Sequence, residues 1–405
     1  MPFPNALERR REYAGPAVFS YGFRPFFFLA AVWAVLSLPL WLHQLYGDIT
    51  LRTLFSPLDW HVHEMLFGYV AAAVAGFLLT AIPNWTGRLP VNGWSLAGLV
   101  ALWIAGRVAI LFSAKIGGAF AALIDILFLF TLAVVAIREI IAGRNWRNLR
   151  VIVVLGALVF GDVVFHAEVL IYGAANYGTR IALSAVVLLI SIVGGRIVPS
   201  FTNNWLVRNN PGRLPVSFSR YDIFTIVAGA ISLLAWIAVP TSQISGGLLL
   251  FAGLLHAIRV VRWAGDRTIS DGLVLILHIA YAFLPLGFLL LGLGTFTPSI
   301  PTTAGIHAWT VGAIGLMTVA VMTRATLGHT GQSLKAGLAT QAIYGLIFLS
   351  AVLRITAAFF SSLVLIEAAA VCWLLGFALF VIAFGPILVL RKPAWAEVPS
   401  GRMTS

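Results

Sequence analysis

The sequence predicts an all-α, polytopic membrane bundle of about 12 transmembrane helices with both termini in the cytoplasm. Hydrophobic residues make up 60% of the 405 residues, charged residues make up 10%, and the mean hydropathy is +0.98. A soluble domain carries about a quarter charged residues, so the composition excludes a soluble globular protein. Apolar runs of about 18 residues or more recur along the chain, and each is long enough to cross a bilayer as a helix.

The apolar segments follow one another with short connections. The longest connections, at roughly 44–60 and 201–220, contain Pro, Asn and Trp but too few residues for a soluble domain. The apolar runs are continuous rather than alternating, which excludes a β-barrel. We therefore expect a single transmembrane domain over 1–405, with cytoplasmic segments at 1–20 and 392–405. The predicted spans are 24–43, 61–82, 94–113, 117–138, 149–172, 178–200, 221–240, 244–263, 271–293, 303–323, 336–358 and 361–390.

The basic residues set the predicted orientation. Most of the 26 Lys and Arg residues lie at segment ends that are cytoplasmic if the N-terminus is inside, as the positive-inside rule requires. The net charge of +12 therefore reflects topology and affinity for anionic lipid, and not a nucleic-acid partner. The exceptions, on or near the outer side, are Arg52, Arg107, Lys115, Arg180 and Arg354.

The first span follows Arg9–Arg11 and resembles a signal peptide in that respect. Its apolar run is too long and lacks a small-residue cleavage site, so we interpret it as a retained helix. The single cysteine, Cys372, lies inside the last span, which excludes internal disulfides and indicates a packing role.

The histidines are concentrated towards the predicted outer side. His166 lies in span 5, about 9 Å below its outer end at 1.5 Å per residue. His278 is deeper, and we expect His256 and His329 to be surface groups at the inner side. The four histidines at the outer ends of spans are His43, His61, His63 and His307.

Several imidazoles at one depth in a bundle are typical of metal and haem ligation. His61 and His63 point about 200° apart if both are helical, so one site is not expected to use both unless the first turn is irregular. His166 has Asp162 one turn below it and Glu168 nearby, and either carboxylate can orient its imidazole. We expect His166 to be a ligand or a proton carrier.

Two pairs of segments indicate a weak internal repeat. HEMLFG at 63–68 and HAWTVG at 307–312 both place Gly five residues after His, and AIPNWTGR at 81–88 is similar to IVPSFTNNW at 197–205. The spans that carry them, 2, 6 and 10, are four apart. This spacing favours three four-helix units over two six-helix halves.

Three segments resemble the signatures of the NnrS family: YGFRPFFFLAAVWAV at 21–35, WHVHEMLFGYVAAAVAGFLLTAIPNWTGRLP at 60–90 and GGRIVPSFTNNWL at 194–206. The resemblance covers essentially the whole chain. It implies a multi-pass protein of the bacterial inner membrane that binds haem and copper. It also implies a role in nitric oxide metabolism or resistance to nitrosative stress.

The twelve spans and the 2-6-10 spacing are also similar to the catalytic subunit of haem–copper oxidases and nitric oxide reductases. That similarity implies a haem of the b type between His307 and either His61 or His63. Those enzymes hold copper in spans 6 and 7, and both of these spans lack histidine in this sequence. Copper is therefore expected at another set of residues, such as His43, His166 and His278. The histidine of DWHVHEM that does not bind haem would complete this set, and we take it to be His61.

Charged residues near the predicted haem have two open interpretations. Arg107 and Arg354 can pair with haem propionates, or they can extend to the interface or pair with Glu367 or Asp59. Glu64 can orient a neighbouring imidazole or accept a proton. Asp125, midway along span 4, is expected to be a helix-packing group rather than part of a proton relay.

The sequence leaves two classes of function open. The first is a haem- and copper-binding redox protein that meets nitric oxide or a related small ligand in the membrane. Neither a CxxCH motif nor a flavin fingerprint occurs, so electrons would come from quinol or a partner protein. The second class is a proton-coupled secondary transporter or a metal importer, which predicts six-plus-six repeats and unwound helices at the midplane.

Overall fold

A computed structural model describes Tyr13 and residues 15–390. Most of the predicted cytoplasmic segment 1–20 and the whole tail 392–405 lie outside the described residues. Within the described part, the chain is helical and forms no strand, and twelve helices are long and apolar enough to cross a membrane. The predicted all-α bundle of twelve spans is confirmed.

The helices, numbered α1 to α12, correspond one to one with the predicted spans. They are Phe23–Tyr46, Pro57–Thr86, Gly93–Leu111, Gly118–Ala142, Trp146–Tyr172, Tyr177–Asn209, Arg220–Ala238, Gln243–Arg267, Gly272–Gly294, Thr302–His329, Leu338–Phe360 and Leu363–Val389. We call the end that holds the α1–α2, α3–α4, α5–α6, α7–α8, α9–α10 and α11–α12 connections the predicted outer end.

Several helices extend beyond their predicted limits, among them α2 and α6. Helix α2 begins before His61, because the Ser56 side chain accepts a hydrogen bond from the Asp59 amide and Pro57 occupies the first turn. Both histidines of DWHVHEM therefore lie inside the helix. Helix α6 continues to Asn209, past the predicted end at 200, and includes Pro199.

The helices pack mainly against their neighbours in sequence, and α12 returns to pack against α1. Helix α2 is the most buried of the twelve, followed by α6, α9 and α10. Helix α10 contacts both α2 and α6, so the three helices that carry the repeated motifs meet inside the bundle. The division into three four-helix units stays a prediction.

A π-helical stretch follows His63 in α2 and His307 in α10. The stretches are Glu64–Val70 and Ala308–Gly315, within otherwise α-helical spans. π-Helical turns are rare and are frequently found at functional sites, because the extra residue frees or re-aims a backbone group. The similarity between HEMLFG and HAWTVG thus corresponds to the same local distortion at the same distance from a histidine.

Candidate metal centre and histidine pair

Six ionisable side chains from four helices meet in the interior, and we call them the buried charge cluster. Each is at most 5% exposed, at a depth where charges are costly unless they are paired. The cluster consists of His63 and Glu64 from α2, Arg107 from α3, Asp125 from α4, and Asp162 and His166 from α5.

Asp125 lies at the centre of the cluster. Its Oδ2 atom is 3.0 Å from Nε2 of His63 and 3.2 Å from Nε2 of His166, and its Oδ1 atom accepts a hydrogen bond from Arg107. Gly106 on α3 allows this approach, since a Cβ atom there would lie 2.6 Å from Asp125 Oδ1. Asp125 therefore connects charged groups of three other helices, a larger role than the packing role expected from sequence.

Arg107 connects the cluster to the π-helical stretch of α2. Its Nη1 atom donates to Glu64 Oε2 at 2.7 Å, and Glu64 Oε1 lies 3.0 Å from His63 Nδ1. Gly68, within the π-helical stretch, makes space for the guanidinium: a Cβ atom there would lie 3.0 Å from Arg107 Nη1 and 2.5 Å from Trp33 Nε1. The structure pairs Arg107 with Glu64 and Asp125, and not with Glu367 or Asp59.

Four members of the cluster are arranged as a set of metal ligands. One nitrogen or oxygen atom from each of His63, Asp125, Asp162 and His166 lies within 4.8 Å of all the others. Among the described residues, neither carboxylate oxygen of Asp162 has a hydrogen-bond partner, although both are buried. Nε2 of His63 lacks one as well, because its 3.0 Å contact with Asp125 is poorly aligned for a hydrogen bond.

Aromatic rings enclose this side of the cluster. The centroids of Phe55, Phe67 and Phe165 lie 5.0, 5.1 and 5.3 Å from that of His63. Gly178 allows α6 to cross α5 here, since a Cβ atom on it would lie 2.3 Å from the Phe165 backbone nitrogen. The rings restrict the access of water to the ligand atoms.

A second group, which we call the histidine pair, consists of His61 and His307. The ring of His61 stacks on Trp41 at a centroid distance of 4.0 Å. Nδ1 of His307 lies 2.7 Å from the Thr303 carbonyl oxygen, so Nδ1 carries the proton and Nε2 keeps its lone pair. Arg354 lies close enough to both imidazoles for its positive charge to act on them.

The two histidines of DWHVHEM thus belong to different sites. His63 faces the buried charge cluster, whereas His61 stacks on Trp41, within electrostatic reach of His307 and Arg354. This matches the expectation for two helical residues two positions apart. The α-helical geometry of Pro57–His63 does not provide the irregular first turn on which a shared site would depend.

The other expected ligands lie elsewhere. His43 contacts Asp48 at 2.9 Å on the surface, and His278 contacts Thr202 at 2.7 Å. Glu168 accepts backbone hydrogen bonds from Asn176, Tyr177 and Gly178 at the start of α6, so its carboxylate is engaged away from His166. The structure does not bring His43, His61, His166 and His278 together.

A second buried polar network was missed from sequence. Arg259 is fully buried and donates to Asp222 at 2.9 Å and to Tyr281 at 2.8 Å, and Nδ1 of His256 lies 3.1 Å from the same hydroxyl. The prediction that His256 is a surface group is wrong, because the residue is 0% exposed. These partners come from α7, α8 and α9, and their contact depends on helix packing that no local pattern encodes.

The comparison of the whole chain with family models agrees with the resemblance of the three sequence segments. A family model described as NnrS protein matches residues 17–392. No curated protein matches the chain significantly.

Proposed function

The chain belongs to the NnrS family, and on that basis we propose that it is a haem- and metal-binding protein of the bacterial inner membrane that acts in nitric oxide metabolism or resistance to nitrosative stress. Twelve candidate membrane-spanning helices and the buried histidine–aspartate group support the proposal. The observation that carries it is the convergence of four ligand atoms from three helices within 4.8 Å of one another.

The metal centre of this proposal is formed by His63, Asp125, Asp162 and His166. Two imidazole nitrogens and two carboxylate oxygens suit Cu(II), and they suit zinc or iron as well. The unpartnered oxygens of Asp162 and the unpartnered Nε2 of His63 are the atoms that a cation would satisfy. This set shares only His166 with the copper ligands expected from sequence.

The charge of the cluster favours a divalent ion. When ionised, as metal binding requires, the carboxylates of Glu64, Asp125 and Asp162 bring three negative charges, and Arg107 brings one positive charge. With neutral imidazoles, two negative charges remain uncompensated in a region where a net charge is costly. One divalent cation between the four ligand atoms would balance them.

The histidine pair is the proposed haem site. His61 and His307 would each offer Nε2 to the iron from α2 and α10, and Arg354 would pair with a propionate. The hydrogen bond from His307 Nδ1 to the Thr303 carbonyl fits this role, because metal-binding histidines commonly donate their second nitrogen in this way. The haem would supply an iron atom able to bind nitric oxide.

The surrounding residues of the chain hold these groups in position. Glu64 orients the His63 imidazole, and Arg107 holds Glu64 and Asp125 at fixed positions. The three phenylalanine rings keep water from the ligand atoms, and the apolar bundle admits an uncharged ligand from the lipid. If the protein turns nitric oxide over, electrons would come from quinol or a partner protein.

A proton-coupled transporter remains the second candidate, because buried carboxylates beside histidines are also typical of proton-coupling sites. The test is the visible absorption spectrum and the metal content of the purified protein, for wild type, His61→Ala and Asp162→Asn. A Soret band weakened or shifted in His61→Ala and a stoichiometric metal lost in Asp162→Asn support our proposal. A wild-type protein without either, from cells supplied with haem precursors and metals, would overturn it.

A further inference from the structure

A pocket of about 70 Å³ lies where α2, α6 and α10 meet, and we call it the central pocket. It is not part of the buried charge cluster or of the histidine pair. Apolar side chains line it almost entirely, with Thr318 as the one hydroxyl residue among them. Representative lining residues are Ala73 and Phe77 from α2, Val186 and Val193 from α6, and Ile314 and Met317 from α10.

The pocket offers nothing for water to bind. The Thr318 hydroxyl donates to the carbonyl of Ile314 at 2.8 Å and also contacts the hydroxyl of Tyr69, so its hydrogen-bonding capacity is used within the protein. A water molecule needs two to four polar partners, and apolar cavities without them stay dry and accept apolar guests such as xenon. Water therefore does not compete with a small apolar molecule for this pocket.

The position of the pocket relates it to both proposed sites. Val70 and Ile314 line it, and they lie seven residues after His63 and His307 respectively. Seven residues correspond to about 10 Å of helix, or two turns. The pocket is therefore on the inner side of both sites, and each time a π-helical stretch intervenes.

We propose that the central pocket binds one small, uncharged, apolar molecule of diatomic size, the class to which nitric oxide belongs. The capacity to bind such a molecule rests on the pocket alone. The identification of nitric oxide as the occupant rests on the proposed function.

The test uses xenon as the probe, in crystals of the full-length purified protein pressurised with the gas. We expect xenon density in the central pocket of the wild type. Val193→Phe fills the pocket and should remove that density, whereas Val153→Phe, which adds the same ring at a 68% exposed position, should keep it. Phe77→Ala enlarges the pocket and should raise the occupancy, while Phe160→Ala at an exposed position should not.

Three results would overturn the proposal: wild-type crystals with xenon only elsewhere, ordered lipid or detergent density filling the pocket, or equal xenon occupancy in Val193→Phe and Val153→Phe. Nitric oxide added with xenon should displace it from the pocket, and failure to do so would exclude nitric oxide as the occupant. Xenon binding requires neither haem nor metal. A protein without either cofactor that still binds xenon would therefore contradict the proposed function and leave the pocket assignment standing.

Discussion

Nε2 of His63 on α2 lies 3.0 Å from Oδ2 of Asp125 on α4, and this contact defines the centre of the buried charge cluster. An isolated carboxylate or imidazolium at this depth would cost several kcal/mol, so the two groups depend on each other and on their neighbours. Arg107 on one side of Asp125 and His166 on the other complete the arrangement.

Asp162→Asn is expected to remove the metal. The carboxylate oxygens of Asp162 have no hydrogen-bond partner among the described residues, so their proposed role is ligation. Loss of residues that only orient a ligand costs about 10- to 100-fold in metal affinity, and loss of a ligand should cost at least as much. Metal analysis of the purified protein, with electron paramagnetic resonance for Cu(II), measures the effect.

Asp48→Asn is the matched control for this experiment, because Asp48 is an exposed aspartate that contacts His43. It should leave the metal content unchanged. If the two variants kept equal amounts of metal, the ion would not be held by Asp162. If Asp48→Asn alone lost it, the surface histidine His43 would be the ligand.

Arg107→Met is expected to destabilise the protein, because Glu64 and Asp125 lose the cation that both contact. Removing one partner of a buried ion pair costs about 3–5 kcal/mol. The measurement is thermal unfolding in detergent. Asp125→Asn in the same background should restore part of the lost stability, since it removes one uncompensated carboxylate. If the destabilisation by the two substitutions simply added, Arg107 and Asp125 would not be directly coupled.

The histidine pair and the cluster are expected to respond differently in the absorption spectrum. His61→Ala and His307→Ala should each weaken or shift the Soret band, because each removes a residue that would bind the haem iron. His63→Ala should keep the band and lose the metal instead. The reverse result, a Soret band lost in His63→Ala and kept in His61→Ala, would assign the haem to His63.

Gly178→Ala is expected to disturb the metal centre without changing a ligand. Its new Cβ atom would lie 2.3 Å from the backbone nitrogen of Phe165, the residue before His166, and a backbone atom cannot move aside easily. Overpacking of this kind costs about 1–3 kcal/mol. Gly156→Ala on α5 is the control, because no atom lies within 4 Å of its added Cβ. Thermal unfolding and metal content should change only in Gly178→Ala.

The predicted orientation can be tested with single cysteines in a Cys372→Ser background. Ser299 lies in the exposed α9–α10 connection and Ser217 in the exposed α6–α7 connection. A membrane-impermeant thiol reagent applied to spheroplasts should label Ser299→Cys and should not label Ser217→Cys until the membrane is opened. The opposite pattern would place both termini outside the cytoplasm.

Much of the fold followed from sequence, because crossing a bilayer imposes length and composition on every span. The twelve apolar runs appear as twelve helices, and even the motif similarity around His63 and His307 corresponds to two π-helical stretches. Helix ends were less predictable: Ser56 and Pro57 start α2 early, and Pro199 does not end α6. Local caps and packing decided those limits.

The residue types of the candidate site could be predicted from the sequence, but only some of the residues that form it could. Sequence alone identified histidines near the predicted outer end, Asp162 one turn from His166, and His61 and His63 on different faces of one helix. It did not place Asp125 or Arg107 beside His63, and it assigned His256 to the surface. Those contacts join residues from different helices, and they depend on how close the helices approach at Gly68, Gly106 and Gly178.

Some features could be predicted from the sequence and others could not, because the physical constraints act over different ranges of the chain. Hydrophobicity, helix length and charge bias act within one span, so the sequence by itself determined the number of helices and the expected orientation. The pairing of buried charges acts between spans, where a contact of about 3 Å decides whether an ionisable group is stable in the interior. Tertiary structure alone therefore decided that His63, Asp125, Asp162 and His166 converge. It also decided that His61 lies apart from them, within electrostatic reach of His307 and Arg354.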